Sequence, residues 1–122
     1  MSDQPQQPIE IDLSPLEEIA GGDNMFVMAL LGKMSKALPV AFTNMRTAMD
    51  EQDYETLRAA SHKAKSTFAY LGLDEMKGML KDIETDSRER THLEALPDKV
   101  TESIALGERI LAALKMEMAK LM

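Results

Sequence analysis

The sequence contains no cysteine and no tryptophan, only three Phe and two Tyr, and no apolar run longer than Met25–Leu31. The missing cysteine excludes a disulfide scaffold, thiolate chemistry and any zinc site built on Cys ligands. The longest apolar run is far shorter than the roughly 20 residues a membrane-spanning helix needs. Met1–Ile9 does not read as a leader, being polar and rich in Pro and Gln, with neither a basic n-region nor an apolar h-region. Positive charge is in deficit, 14 Lys+Arg against 21 Asp+Glu for a net charge of −7. A chain of that charge repels phosphodiester backbones, which sets nucleic acid aside as a partner. The expectation is a soluble, cytoplasmic protein without membrane contact.

What is present favours helix. Eleven Met with abundant Leu, Ala, Glu and Lys, and few β-branched or aromatic residues, give an all-α composition. The length of 122 residues suits one domain with a single core. Residues 1–8 read as a disordered lead-in and residues 9–122 as the domain. A Met start followed by a polar lead-in fits a free-standing form.

Local signals divide the chain into helices. Ser14-Pro15-Leu16-Glu17 offers a Ser cap, a Pro in the first turn and a Glu three residues on, and predicts a short helix to about Ala20. Gly21-Gly22 ends it, and Asp23 or Asn24 can cap the next. From there Val27, Leu31, Met34, Leu38, Ala41, Met45 and Ala48 form the stripe of a long amphipathic helix, which Pro39 is expected to kink or interrupt. Asp53 can cap a third helix with Leu57, Ala60, Ala64, Phe68 and Leu71 on its apolar side, ending at Leu71-Gly72. A fourth starts near Asp74 and carries Met76, Met79, Leu80 and Ile83, while Thr85–Leu96 reads as a loop. Pro97-Asp98 opens the last helix, with a seam through Val100, Ile104, Gly107, Leu111, Leu114, Met118 and Leu121. Short connections between amphipathic helices imply an antiparallel four-helix bundle with a short extra N-terminal helix.

Histidine titrates near neutrality without help, and the chain has two, His62 and His92. On a wheel of about 100° per residue with Leu57 at zero, the apolar residues of the third helix fall within roughly 60°, and His62 lies about 140° away. His62 therefore points outward. A turn below and a turn above it stand the small residues Ala59, Ser66 and Ala69. An exposed His is ordinarily just a solvated residue. Here, however, Thr56–Leu73 holds Arg58, Lys63 and Lys65 and no acidic residue, a local +3 inside a remainder of −10. Cations at helical neighbour spacing suit a dianionic group carried on the ring, and a neutral imidazole is a nucleophile fit to accept a phosphoryl group. Lys65, three residues on, is the cation best placed.

The run Ala60-Ser61-His62-Lys63-Ala64-Lys65-Ser66-Thr67-Phe68-Ala69-Tyr70-Leu71-Gly72 resembles the signature of histidine phosphotransfer (HPt) domains. In that signature a Lys follows the His by three residues, a small residue comes next, and Leu-Gly closes the helix. Gly21-Gly22-Asp23 with Phe26 and Leu30-Leu31, and Met76, Leu80 and Ile83-Glu84, extend the resemblance over most of the chain. It implies a phosphorelay intermediate in which His62 takes a phosphoryl group from one receiver-domain aspartate and passes it to another. Lys65 would neutralise the phosphate. Ser66 stands where the family often has Gly and could hydrogen-bond phosphoryl oxygens, and Ala64 replaces a common Leu. The protein would be a phosphocarrier and not an enzyme. It would need no cofactor, since the acidic pocket and Mg²⁺ belong to the receiver. Partners would be receiver domains of response regulators or of a hybrid sensor kinase, docking over the second and third helices of a monomer. Arg58, Ala59, Lys63 and Ala69 are candidates for that surface, with Leu30, Lys33, Met34 and Ala37 behind them.

Other signals are weaker. The methionines mostly fall on apolar stripes and read as core filling, although Met116, Met118 and Met122 crowd the C-terminus. Glu89-Arg90-Thr91-His92 has the Glu-x-x-His spacing of a di-iron bundle, but only once and in the segment read as loop, so no metal site is expected and His92 reads as a surface residue. No nucleophile elbow supports a hydrolase. A kinase dimerisation domain would need an ATPase half for which the chain has no room. The remaining rival is a helical adaptor that binds a signalling partner without carrying phosphate.

Overall fold

A computed structural model describes residues 9–122, and the lead-in assigned to residues 1–8 lies outside them. Five α-helices follow in order, α1 Ser14–Ala20, α2 Asn24–Asp50, α3 Tyr54–Ala69, α4 Asp74–Glu89 and α5 Leu96–Leu121. No strand occurs among the described residues. α2 to α5 form the bundle and α1 packs on α2. Contacts run α2 to α3, α3 to α4, α4 to α5 and α5 back to α2, so the four helices close in a ring around one core.

The boundaries follow from local chemistry. Ser14 is the first residue of α1 rather than its cap, and it is Asp12 whose Oδ1 accepts from the Ser14 amide at 2.9 Å. Gly21 ends α1 at φ 60°, a left-handed conformation that costs glycine nothing. Asp23 caps α2 by accepting from the amides of Met25 and Phe26, and Asp53 caps α3 by accepting from that of Thr56. α2 runs unbroken through Pro39, which corrects the expected interruption; Pro39 sits on the exposed side, where a carbonyl left without its backbone donor can reach water. By length and composition α2 could cross a membrane, yet its stripe from Val27 to Met49 is buried in the bundle.

The core joins that stripe to Leu57, Ala64, Phe68, Met76, Leu80, Ile83, Leu96, Val100, Ile104, Ile110 and Leu114. Each Val, Leu, Ile, Met or Phe side chain among these contributes about 1.5–3 kcal/mol through burial. Four of the methionines, Met34, Met45, Met49 and Met76, are core residues, whereas Met25, Met116 and Met122 are exposed. α5 meets α2 where Gly107 faces the Phe42 ring. A Cβ there would lie 2.8 Å from Phe42 Cε1 and closer still to Cζ.

α4 is longer than its apolar pattern indicates. The residues read as loop from Thr85 are helical to Glu89: Asp86 and Ser87 of this stretch are buried, as is Glu84 just before it, and Glu84 and Asp86 find partners on other elements. Asp86 accepts from Thr91 Oγ1 (2.9 Å), His92 Nδ1 (3.0 Å) and Lys99 Nζ (2.8 Å). Burial pushes the Asp86 carboxyl up, but the hydrogen bonds from Lys99, His92 and Thr91 outweigh it and hold it at about 2. His92 is thus more than a surface histidine: with Arg90 (φ 58°) and its own φ of 52° it shapes the left-handed corner into α5. Arg90 also stacks over the Tyr54 ring at 4.6 Å, tying this corner to the start of α3.

Gly107→Ala should lower stability by about 1–3 kcal/mol in chemical denaturation, despite the better helix propensity of Ala, because the Phe42 ring must move; pairing it with Phe42→Leu should recover part of the loss. Asp86 has a depressed pKa, so its contribution is complete above its ordinary value of 3.8 and fades as pH falls towards 2. Asp86→Asn should therefore cost about 2 kcal/mol at pH 7 and flatten the acid limb of the stability curve between about pH 4 and pH 2.

Candidate functional site

Leu57, Ala64 and Phe68 bury one face of α3, which turns His62 outward with 57% of its side chain exposed. Ala59, Ser66 and Ala69 around it are exposed as well. The ring is not free-standing. Glu84 of α4 reaches across, with Oε2 2.9 Å from His62 Nδ1 and Oε1 2.7 Å from Lys65 Nζ. One carboxylate thus bridges the histidine and the lysine.

The chemistry of the bridge fixes the ring. Burial tends to raise the Glu84 pKa, but hydrogen bonds and charge from Lys65 and His62 prevail and bring it below the ordinary carboxylate value. An ionised carboxylate only accepts. Nδ1 must therefore carry the proton, which leaves the lone pair on Nε2, a nitrogen without a hydrogen-bond partner among the described residues. The site consequently presents one nucleophilic nitrogen, steered by a charge from the neighbouring helix.

The other candidates fall into two groups. Lys65 is beside the ring but engaged by Glu84, and Ser66 Oγ donates to the His62 carbonyl at 3.2 Å. Arg58 is paired with Glu55 at 2.6 Å, one residue outside the stretch counted as free of acid. The +3 island is therefore partly neutralised, and Lys63 is its exposed remainder. On the α2 side, Ile19, Phe26, Leu30, Lys33, Met34, Ala37, Thr67 and Tyr70 line an apolar groove of about 370 Å³. Met34 is buried at its edge, whereas Lys33 and Ala37 are exposed. No group of three or more His, Cys, Asp or Glu able to hold a metal occurs among the described residues.

Glu84 is the residue the sequence analysis passed over as a site residue. Its signal was available, since it falls next to Ile83 and four residues after Leu80 on the buried face of α4, and a carboxylate there requires a partner.

The family model for the Hpt domain matches residues 29–121. The chain belongs to this family. Hpt domains are the histidine phosphotransfer modules of two-component signalling, and this Hpt domain shares their all-helical bundle. No curated protein matches the chain. Among solved structures it is similar to the HPT domain of a sensor hybrid histidine kinase from Shewanella, with a TM-score of 0.76 and 18% identity over 90% of this chain and 94% of that one. At that identity the likeness establishes the fold.

¹⁵N NMR of the neutral His62 ring should show the Nδ1–H form with a bare Nε2. Glu84→Ala should shift it towards the Nε2–H form that a free histidine side chain prefers, and Glu84→Gln, whose amide oxygen still accepts, should keep Nδ1–H. An Nε2–H ring in the unaltered protein would remove Glu84 as its orienting partner.

Proposed function

We propose that this Hpt domain is a phosphocarrier in which His62 Nε2 accepts a phosphoryl group from the aspartyl phosphate of one receiver domain and returns it to the aspartate of another. The observation that carries the reading is the exposed, unpartnered Nε2 of a ring whose Nδ1–H is held by Glu84 beside Lys65. The Nε2 lone pair attacks phosphorus, the bond from phosphorus to the aspartate oxygen breaks, and the carboxylate leaves with the electron pair. The ring becomes cationic while keeping its Nδ1 proton, and Glu84 stabilises that charge at 2.9 Å. Lys65 draws charge from the phosphoryl oxygens, and Ser66 can turn its hydroxyl from the His62 carbonyl towards them.

The partner completes the reaction. Mg²⁺ and the acidic pocket would belong to the receiver, where the metal would supply charge neutralisation for the phosphoryl oxygens, and the chain would act as a phosphocarrier and not as an autonomous kinase or phosphatase. The α2–α3 groove around Phe26, Leu30 and Tyr70 would take an apolar surface of the receiver, with Arg58, Ala59, Lys63 and Ala69 flanking the contact. Response-regulator receivers, or the receiver of a hybrid kinase, fit this role for a monomeric domain in the cytoplasm.

Incubation with a phosphorylated receiver should place acid-labile, base-stable phosphate on the domain. His62→Gln should abolish it, and Lys65→Ala should slow transfer about ten-fold with helicity intact. Transfer that survives His62→Gln would overturn the assignment, and no transfer from any cognate receiver would leave the adaptor reading in its place.

A further inference from the structure

The α3–α4 side of the site has no positive charge to spare, since Lys63, the exposed cation of α3, lines the α2 side. Glu84 and Lys65 cancel each other. A phosphoryl group brings about −1.5 to −2. Even with the ring cationic, the set moves to a net charge of about −1, and to about −2 once the Nδ1 proton is lost. Lys65 cannot answer this alone while its ammonium is 2.7 Å from Glu84.

A second cation shares a cleft with Lys65 on the α4 side. Lys81 lies one turn before Glu84 on the same side of α4. With Lys65, Ser66, Ala69, Asp74, Lys77 and Gly78 it lines an open cleft of about 440 Å³ between α3 and α4. Lys81 is exposed and has no ion pair or hydrogen bond among the described residues. The third lysine of the cleft, Lys77, is paired with Asp74 at 3.3 Å, and Arg58 is paired with Glu55. An unengaged ammonium on a flexible four-carbon stem, sharing a cleft with Lys65, is the available answer to the excess negative charge.

We propose that Lys81 is a second phosphate-binding cation of this site, taking up the charge of phosphorylated His62 that Lys65, shared with Glu84, leaves unmatched. The inference rests on His62 being the phosphoacceptor, as proposed above.

Phosphoramidate tests it without any receiver. Nε2 attacks phosphorus, the phosphorus–nitrogen bond breaks, and ammonia leaves with the electron pair; excess ammonia reverses the exchange. The equilibrium constant, read by ³¹P NMR, reports how well the protein stabilises phosphohistidine. Lys81→Ala should lower it about two- to five-fold at low salt, and the difference should vanish near 1 M salt, where the screening length is roughly 3 Å. Lys81→Arg should retain the constant, as should Lys115→Ala on the exposed side of α5. Phosphate on His62 with the same constant in Lys81→Ala would overturn the role of Lys81 alone. Phosphate on His92 and not His62 would overturn the phosphoacceptor reading and this inference with it.

Discussion

The outward face of α3 is organised by one charge delivered from another helix. Glu84 does three things at once: it fixes which ring nitrogen of His62 bears the proton, it holds Lys65 beside the ring, and it supplies the counter-charge that a cationic imidazole would meet under the proposed function. None of these is a property of α3 alone. A buried carboxylate without partners would be costly, so the same contacts that arrange the chemistry also stabilise the α3–α4 pair.

The remainder of the bundle keeps that carboxylate in register. Met76, Leu80 and Ile83 fix the rotation of α4 against α3, and the Asp86 cluster with Thr91, His92 and Lys99 anchors its far end to α5. Arg90 over Tyr54 adds a tie from the α4–α5 corner back to the first turn of α3. The hydrogen-bonding groups of the site therefore stand on helices restrained at both ends rather than on loops, which is the arrangement that holds distances near 3 Å.

Much of this was legible from residue order, and the misses at Glu84 and in the last turns of α4 share one cause. Helix starts and stops follow from Asp23, Asp53, Gly21 and Pro97, whose effects are local, and the outward turn of His62 follows from the spacing of Leu57, Ala64 and Phe68. The last turns of α4 were hidden because the stretch from Thr85 to Glu89 looks solvated, and only Lys99 and the α4–α5 corner show why Asp86 is buried. Glu84 lies 22 residues from His62 and 19 from Lys65, beyond the reach of helical spacing. The local +3 around His62 is reduced both across helices and within α3, Lys65 by Glu84 on α4 and Arg58 by Glu55 one turn earlier on α3.

The occupied Nδ1 of His62 has a kinetic consequence under the proposed function. With one ring nitrogen committed to Glu84, only a single nitrogen can hold phosphorus, and it lies on one face of one helix. Two receivers cannot address it together, so donor and acceptor must take turns and the phosphorylated domain must part from the first before meeting the second. Such a relay is ping-pong by geometry. Its fidelity is then a race between partner exchange and spontaneous loss of the phosphoryl group to water.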